Sequence, residues 1–272
     1  MPRDVRVCSV CAWRETCQKR FITAVDTFCS VHCPDYTRDV RIRDSEIDDK
    51  IVEYHLERWR KLGRPRRSLV ITISRETGAG GSEIARRIAT TFGMELVGRE
   101  LIEHVAKSTK MNVRMVELLD EKAVSRIDSM ITSLFVVRHL SPDVYFRHLT
   151  KVIAAIGERG WAVIVGRGAH LILPKGKTLR LRLIAPREAR IEHFMKERHM
   201  THTEARQHVT ARDADREGFI RNYFKAEAAD PANYDLTVNT GELGIEGAFM
   251  AVAALVRQRI EAEESAGRKQ TE

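Results

Sequence analysis

The passage from Leu69 to Ile88 constrains this chain more than any other. Leu69–Ile73 is an apolar, largely β-branched run, Gly78, Gly80 and Gly81 follow closely, and Ser82 then opens a segment with Ile84, Ala85 and Ile88 on one helical face. A strand, a glycine-rich turn and a helix start in immediate succession make an anion site. Glycine lets backbone N–H groups converge, and the first helical turn adds unpaired donors and the positive end of its dipole. The expected ligand is a phosphate. The plainer alternative is a glycine turn that only joins a strand to a helix.

In the frame G-x-x-x-x-G-K-[ST], Ser82 takes the hydroxyl position and Gly80 the second glycine. Arg75 then stands at the first glycine and Gly81 at the lysine. The loop keeps its backbone cradle and its hydroxyl but lacks the lysine's point charge. A dinucleotide fingerprint fits less well, because Glu83 stands where a small residue is needed.

A chain of 272 residues with 43% hydrophobic residues can bury a sizeable core. Charged residues make up 31%, no long apolar run occurs, and the first residues lack a signal-type apolar stretch. A soluble, cytoplasmic protein with no membrane partner is expected. The net charge of +8 suits an anionic partner without choosing one. All five cysteines, Cys8, Cys11, Cys17, Cys29 and Cys33, fall in the first 33 residues. Clustered cysteines without a secretion signal point to a metal rather than to disulfides. Cys8, Cys11, Cys17 and Cys33 are the expected ligands and Cys29 the spare. Both Zn²⁺ and an iron–sulfur cluster fit the spacing, and unligated thiols in an arm are the alternative. Few aromatic residues accompany the cluster, so nucleic acid is not the expected partner, whereas docking of a protein partner is one use for such a module.

Four segments are expected: a Cys-rich module over 1–40, a helix and linker over 41–67, the main body over 68–262, and a frayed polar tail over 263–272. In the body, strands are predicted at Leu69–Ile73, Trp161–Val165, Leu179–Ile184 and Leu236–Asn239. Helices are predicted at Arg86–Phe92, Glu100–Lys107, Val113–Lys122, around Phe146–Glu158, through an arginine-rich stretch to about Phe224, and at Ile245–Ile260. Strands alternating with helices indicate an α/β protein with a parallel sheet between helical layers.

The ordered set of Ile71–Ala85, Ala162–Ala169, Leu183–Pro186, Asp215-Arg216-Glu217, Ile220-Arg221 and Tyr234–Thr240 resembles the cytidylate kinase-like family of P-loop nucleoside-monophosphate kinases. The resemblance spans nearly all of residues 68–261 and implies a three-layer P-loop kinase fold with a helical lid. It also implies transfer of the ATP γ-phosphoryl group to CMP or dCMP. Backbone groups over Thr77, Gly78, Ala79, Gly80, Gly81 and Ser82 would then hold ATP, with the Ser82 hydroxyl toward Mg²⁺. Arg167, with Asp215, would meet the monophosphate, and Arg212, Arg216 and Arg221 would close over the phosphates. Glycine at the lysine position is common in this family. Arg75, Arg86 and Arg87 are the candidates to replace the missing charge.

Gly168 departs from the aspartate that cytidylate kinases proper carry after the arginine, and Val97-Gly98 departs from an aspartate near their monophosphate site. The arginines around 206–221 also suit a solvated, salt-bridged helix face. A catalytically weak nucleotide sensor, or a metal- or redox-responsive regulatory protein on the same scaffold, are the alternatives to a kinase.

Overall fold

Five short strands form one fully parallel sheet in the order β2-β3-β1-β4-β5. They are β1 (Val70–Arg75), β2 (Glu95–Val97), β3 (Ala162–Val165), β4 (Thr178–Ile184) and β5 (Leu236–Asn239). The computed structural model describes residues 47–269 apart from 64, 66, 108–114, 116, 118 and 139–142. The five cysteines, the expected metal ligands Cys8, Cys11, Cys17 and Cys33 among them, lie outside the described residues.

The alternation of each strand divides the core in two. Ile71, Ile73, Val163, Val165, Leu179, Leu181 and Leu183 face α2 (Gly81–Phe92) and α9 (Thr240–Lys269), which contribute Ile84, Ile88, Val252 and Val256. Val70, Ala162 and Ile164 face the opposite layer, built from α1 (Ile47–Leu62), α3 (Arg99–Lys107), α4 (Glu121–Arg138), α5 (Val144–Arg159) and the short α6 (Ala169–Ile172). On this second face β4 carries Arg180 and Arg182, both buried. An unmatched guanidinium there would cost several kcal/mol. Arg180 is met by both carboxylate oxygens of Asp235, at 2.6 and 3.2 Å. Arg182 donates to the carbonyl of Ala228 at 2.5 Å and lies 3.7 Å from Glu76.

Local signals set the ends of the helices. Asp143 accepts from the Tyr145 N–H to start α5, and Gly160 ends it with φ at 79°. Thr201 and Glu204 form a reciprocal capping box at the start of α8 (His202–Phe224). His199, left-handed at φ 53°, ends α7 (Arg187–Arg198), so the predicted arginine-rich stretch is two helices.

Two other expectations are corrected. Glu117 and Leu119 lie in turns, and α4 begins at Glu121 with Asp120 accepting from the Ala123 N–H at 2.7 Å. Met115 is helical, so the single helix predicted over 113–122 is broken at Glu117 and Leu119 and followed by α4, which runs on to Arg138. The helix expected ahead of the linker is α1, whose Val52, Leu56 and Trp59 are buried in the core of the body. The tail predicted to fray is helical to Lys269, and Glu263 accepts from the Ser68 N–H and hydroxyl while Glu264 pairs with Arg67.

Candidate active site

Parallel α/β sheets bind ligands beyond the carboxyl ends of their strands, where loops diverge. Here those ends carry the glycine loop after β1, the Gly166-Arg167-Gly168 turn after β3, and the start of α7 after β4. The loop turns back through Gly78 and Gly80, with φ of 85° and 68°, and Gly80 caps α2 without any side-chain hydrogen bond to its first turn. The leading N–H groups of α2 are thus left for a ligand. Ser82, the second residue of that turn, is exposed.

The turn after β3 places three successive residues at positive φ, with Arg167 at 52° between Gly166 at 83° and Gly168 at 68°. That conformation directs the Arg167 side chain toward α3 and α8. Its guanidinium pairs with Glu103 and lies 4.8 Å from the centroid of Phe219. Arg99 is 3.6 Å from the same Glu103.

Between the sheet edge and α8 lies a cavity of about 310 Å³, within the range of small-molecule sites. Arg75, Arg99, Arg167, Arg182, Arg212 and Arg216 line it together with Glu76, Asp213, Asp215 and Glu217. Cations crowd here. Burial, followed by the charges of Arg99, Arg212 and Arg190, pushes the Arg216 guanidinium below its usual value, with Asp213 pulling the other way. An anion entering the cavity would relieve that repulsion.

The sequence-predicted residues separate into three groups. Gly78, Ala79, Gly80, Gly81 and Ser82 form the loop and first helical turn, where the Ala79 N–H donates to the carbonyl of Glu76 at 3.3 Å. Arg167, Arg212, Asp215 and Arg216 come together around the cavity. Thr77 and Arg221 behave differently. The Thr77 N–H donates to Asp213 at 2.8 Å, and its hydroxyl accepts from Arg216 at 2.7 Å, so Thr77 anchors α8 to the loop instead of presenting its N–H to a phosphate. Arg221 is exposed, sits 3.5 Å from Glu227, and does not line the cavity.

Sequence reasoning passed over Glu103, Arg182 and Arg190. Arg190 donates to the carbonyls of Ala185 and Thr77 and pairs with Asp213, which fastens α7 against the loop. The alternation Leu179-Arg-Leu-Arg-Leu183 held a usable signal, since arginines inside an apolar strand demand partners. Glu103 and Arg190 carried no comparable mark. Among the described residues, no group of three or more His, Cys, Asp or Glu is arranged to hold a metal ion, and no helix is long and apolar enough to cross a membrane.

A profile described as the cytidylate kinase-like family matches residues 70–242. A cytidylate kinase of Pyrococcus horikoshii is 26% identical over 193 residues, covering 71% of this chain and 90% of its own length. Among solved structures, an uncharacterized protein of Eubacterium ventriosum shares the fold at 19% identity with a TM-score of 0.50, over 70% of this chain and 98% of the other. A shikimate kinase of Bacteroides thetaiotaomicron aligns more loosely, at 12% identity and a TM-score of 0.39, with the same coverage of 70% and 98%.

Proposed function

The chain belongs to the cytidylate kinase-like family, and on that premise we propose that it transfers the γ-phosphoryl group of ATP to a nucleoside monophosphate, CMP or dCMP. The observation that carries the proposal is the adjacency of two anion sites on one sheet edge. A backbone cradle opens α2, and an arginine-lined cavity adjoins it. Phosphoryl transfer asks chiefly for positioning and charge neutralisation, which these two features supply.

In this reading the N–H groups of Gly78, Gly80, Gly81 and Ser82 hold the ATP phosphates, and Ala79 shapes the loop between them. Arg167, fixed by Glu103 and Phe219, meets the acceptor phosphate, and Asp215 faces the acceptor across the cavity. Arg212 and Arg216 approach the transferring group from α8. The exposed Ser82 hydroxyl fits Mg²⁺, which takes few protein ligands and several from phosphate and water; when bound, it neutralises charge between the β- and γ-phosphates. Arg221 would join only if the end of α8 rearranged.

The test is ADP formation from Mg–ATP with CMP, dCMP, UMP and AMP offered separately. A cytidine-selective signal that falls about 10²-fold or more in Arg167→Ala supports the reading. ATP binding without turnover on any acceptor would favour a nucleotide sensor. For residues 1–40 we propose a zinc or iron–sulfur module on cysteine spacing alone; metal analysis of purified protein and its visible absorption separate the two.

A further inference from the structure

We propose that Arg75 replaces the missing loop lysine and holds its guanidinium between the donor and acceptor phosphates; this rests on the kinase reading above. A Cβ added to Gly81, the residue in the lysine's place, would lie 2.6 Å from Cγ and 2.9 Å from Cβ of Arg75. A Cβ added to Gly166, the first residue of the acceptor turn, would strike Nη1 of the same arginine. The Arg75 stem therefore crosses under the first residue of α2, and its head reaches the turn after β3. The side chain also lines the cavity. Its own carbonyl accepts from Arg216 at 3.2 Å, which fixes the backbone from which it projects.

The other two candidate cations make ion pairs on α2 and with α9. Arg86 pairs with Glu83 on its own helix at 2.5 Å, and Arg87 pairs with Glu246 while lying 4.1 Å from the centroid of Phe249. Lysine at 81 and arginine at 75 would compete for one volume, so the chain carries one or the other. Glycine at 81 is what the Arg75 stem requires. The exchange changes the chemistry as well as the address. A guanidinium stays charged and offers a planar fork to two oxygens, whereas an ammonium is a point charge. At this place the fork can bind one oxygen of the γ-phosphoryl group and one of the acceptor.

In the transfer, an acceptor oxygen uses a lone pair to form a bond to the γ-phosphorus. The bond from that phosphorus to the β–γ bridging oxygen breaks, and its electron pair leaves on ADP. Arg75 gives up no proton. It offsets negative charge that spreads over the γ-oxygens, a contribution worth about 10³-fold or more where a single arginine supplies it.

The experiment compares full-length wild type, Arg75→Ala, Arg75→Lys and the double exchange Arg75→Ala with Gly81→Lys, reading kcat, ATP affinity and melting temperature. Arg75→Ala should lose about 10³-fold in kcat with an unchanged melting temperature. Arg75→Lys should keep part of the activity, and the double exchange should recover at least about tenfold over Arg75→Ala. A kcat for Arg75→Ala within about threefold of wild type overturns the proposal. So does a loss that the double exchange fails to repair, because the location of the cation is what is claimed. Wild type that binds Mg–ATP but transfers to no acceptor removes the kinase reading instead. Affinity then decides: Arg75→Ala should weaken ATP about tenfold or more and AMP not at all, and equal losses overturn the role. Wild type that binds no ATP overturns both.

Discussion

Gly168 departs from the cytidylate kinase pattern, and the structure supplies the reason. Its φ is 68°, and a Cβ there would come closer than 3.0 Å to two carbons of the Phe224 ring. Phe224 is buried at the end of α8 and meets Phe146 edge-on, with ring centroids 5.1 Å apart. Aspartate tolerates the left-handed region better than most residues, so the ring, more than the torsion, excludes it. Gly168→Asp is expected to cost about 2–5 kcal/mol from overpacking and backbone strain together, measured by urea unfolding. A variant as stable as wild type would mean that Phe224 moves aside at no cost. The carboxylate near the Gly166-Arg167-Gly168 turn comes instead from Glu103, on α3, which pairs with Arg167. The sequence showed the arginine between its glycines but could not show this exchange. A carboxylate 64 positions earlier reaches Arg167 only through the packing of α3 against α5 and the sheet.

At the scale of elements, what was readable followed length and periodicity. Leu236–Asn239 stands as predicted, and the strands at β1, β3 and β4 differ by a residue or two at their ends. β2 was missed because three residues carry no period; it exists because Leu96 and Val97 lie beside β3. The helix at α1 follows from its periodicity, but its packing against the body does not, since its partners are distant in the chain. His55 and Arg58 on α1 reach Glu95 of β2 at 2.8 and 3.1 Å. Burial works against an ionised Glu95, yet the hydrogen bond from His55 and the charges of His55, Arg58 and Arg159 outweigh it and hold the carboxyl below its ordinary value. A carboxyl depressed in the folded state adds stability above its unfolded value, near 4.5, and that increment fades as pH falls through the folded value. Glu95→Gln should therefore be less stable than wild type at pH 7 by about 1–3 kcal/mol. The gap should narrow as the pH drops below about 4.5. Unfolding midpoints at neutral and acid pH check it, and a gap that held constant would deny the ion cluster its role.

For the whole molecule, the question is how the α7–α8 arm is held over the cavity. Its two ends are secured unequally. Ile220 and Phe224 are buried in the main core, whereas the far end rests on a small satellite cluster of Ile191, Ala205 and Val209. Between them the arm is fastened to the glycine loop by a few polar contacts centred on Asp213. Its carboxylate accepts the Thr77 N–H and pairs with Arg190, while Arg216 donates to the Thr77 hydroxyl. This is why the loop and the arm were legible separately but not as a unit: the contacts between them join Thr77 to residues more than a hundred positions away, and nothing in the local pattern marks them. Asp213→Ala removes the shared acceptor and leaves a buried N–H and a guanidinium short of a partner. The expected consequence is local, because the core under Phe224 does not depend on it. Amide exchange over residues 202–216 should quicken about tenfold, equivalent to about 1.4 kcal/mol of opening free energy, while β1, β3 and β4 keep their protection. Uniform loss across the sheet would show that Asp213 supports the whole fold. No change would show that the satellite cluster alone holds the arm. A selective rise would identify the arm as the part of the molecule able to open for a nucleotide, with Thr77 as the point where it lets go.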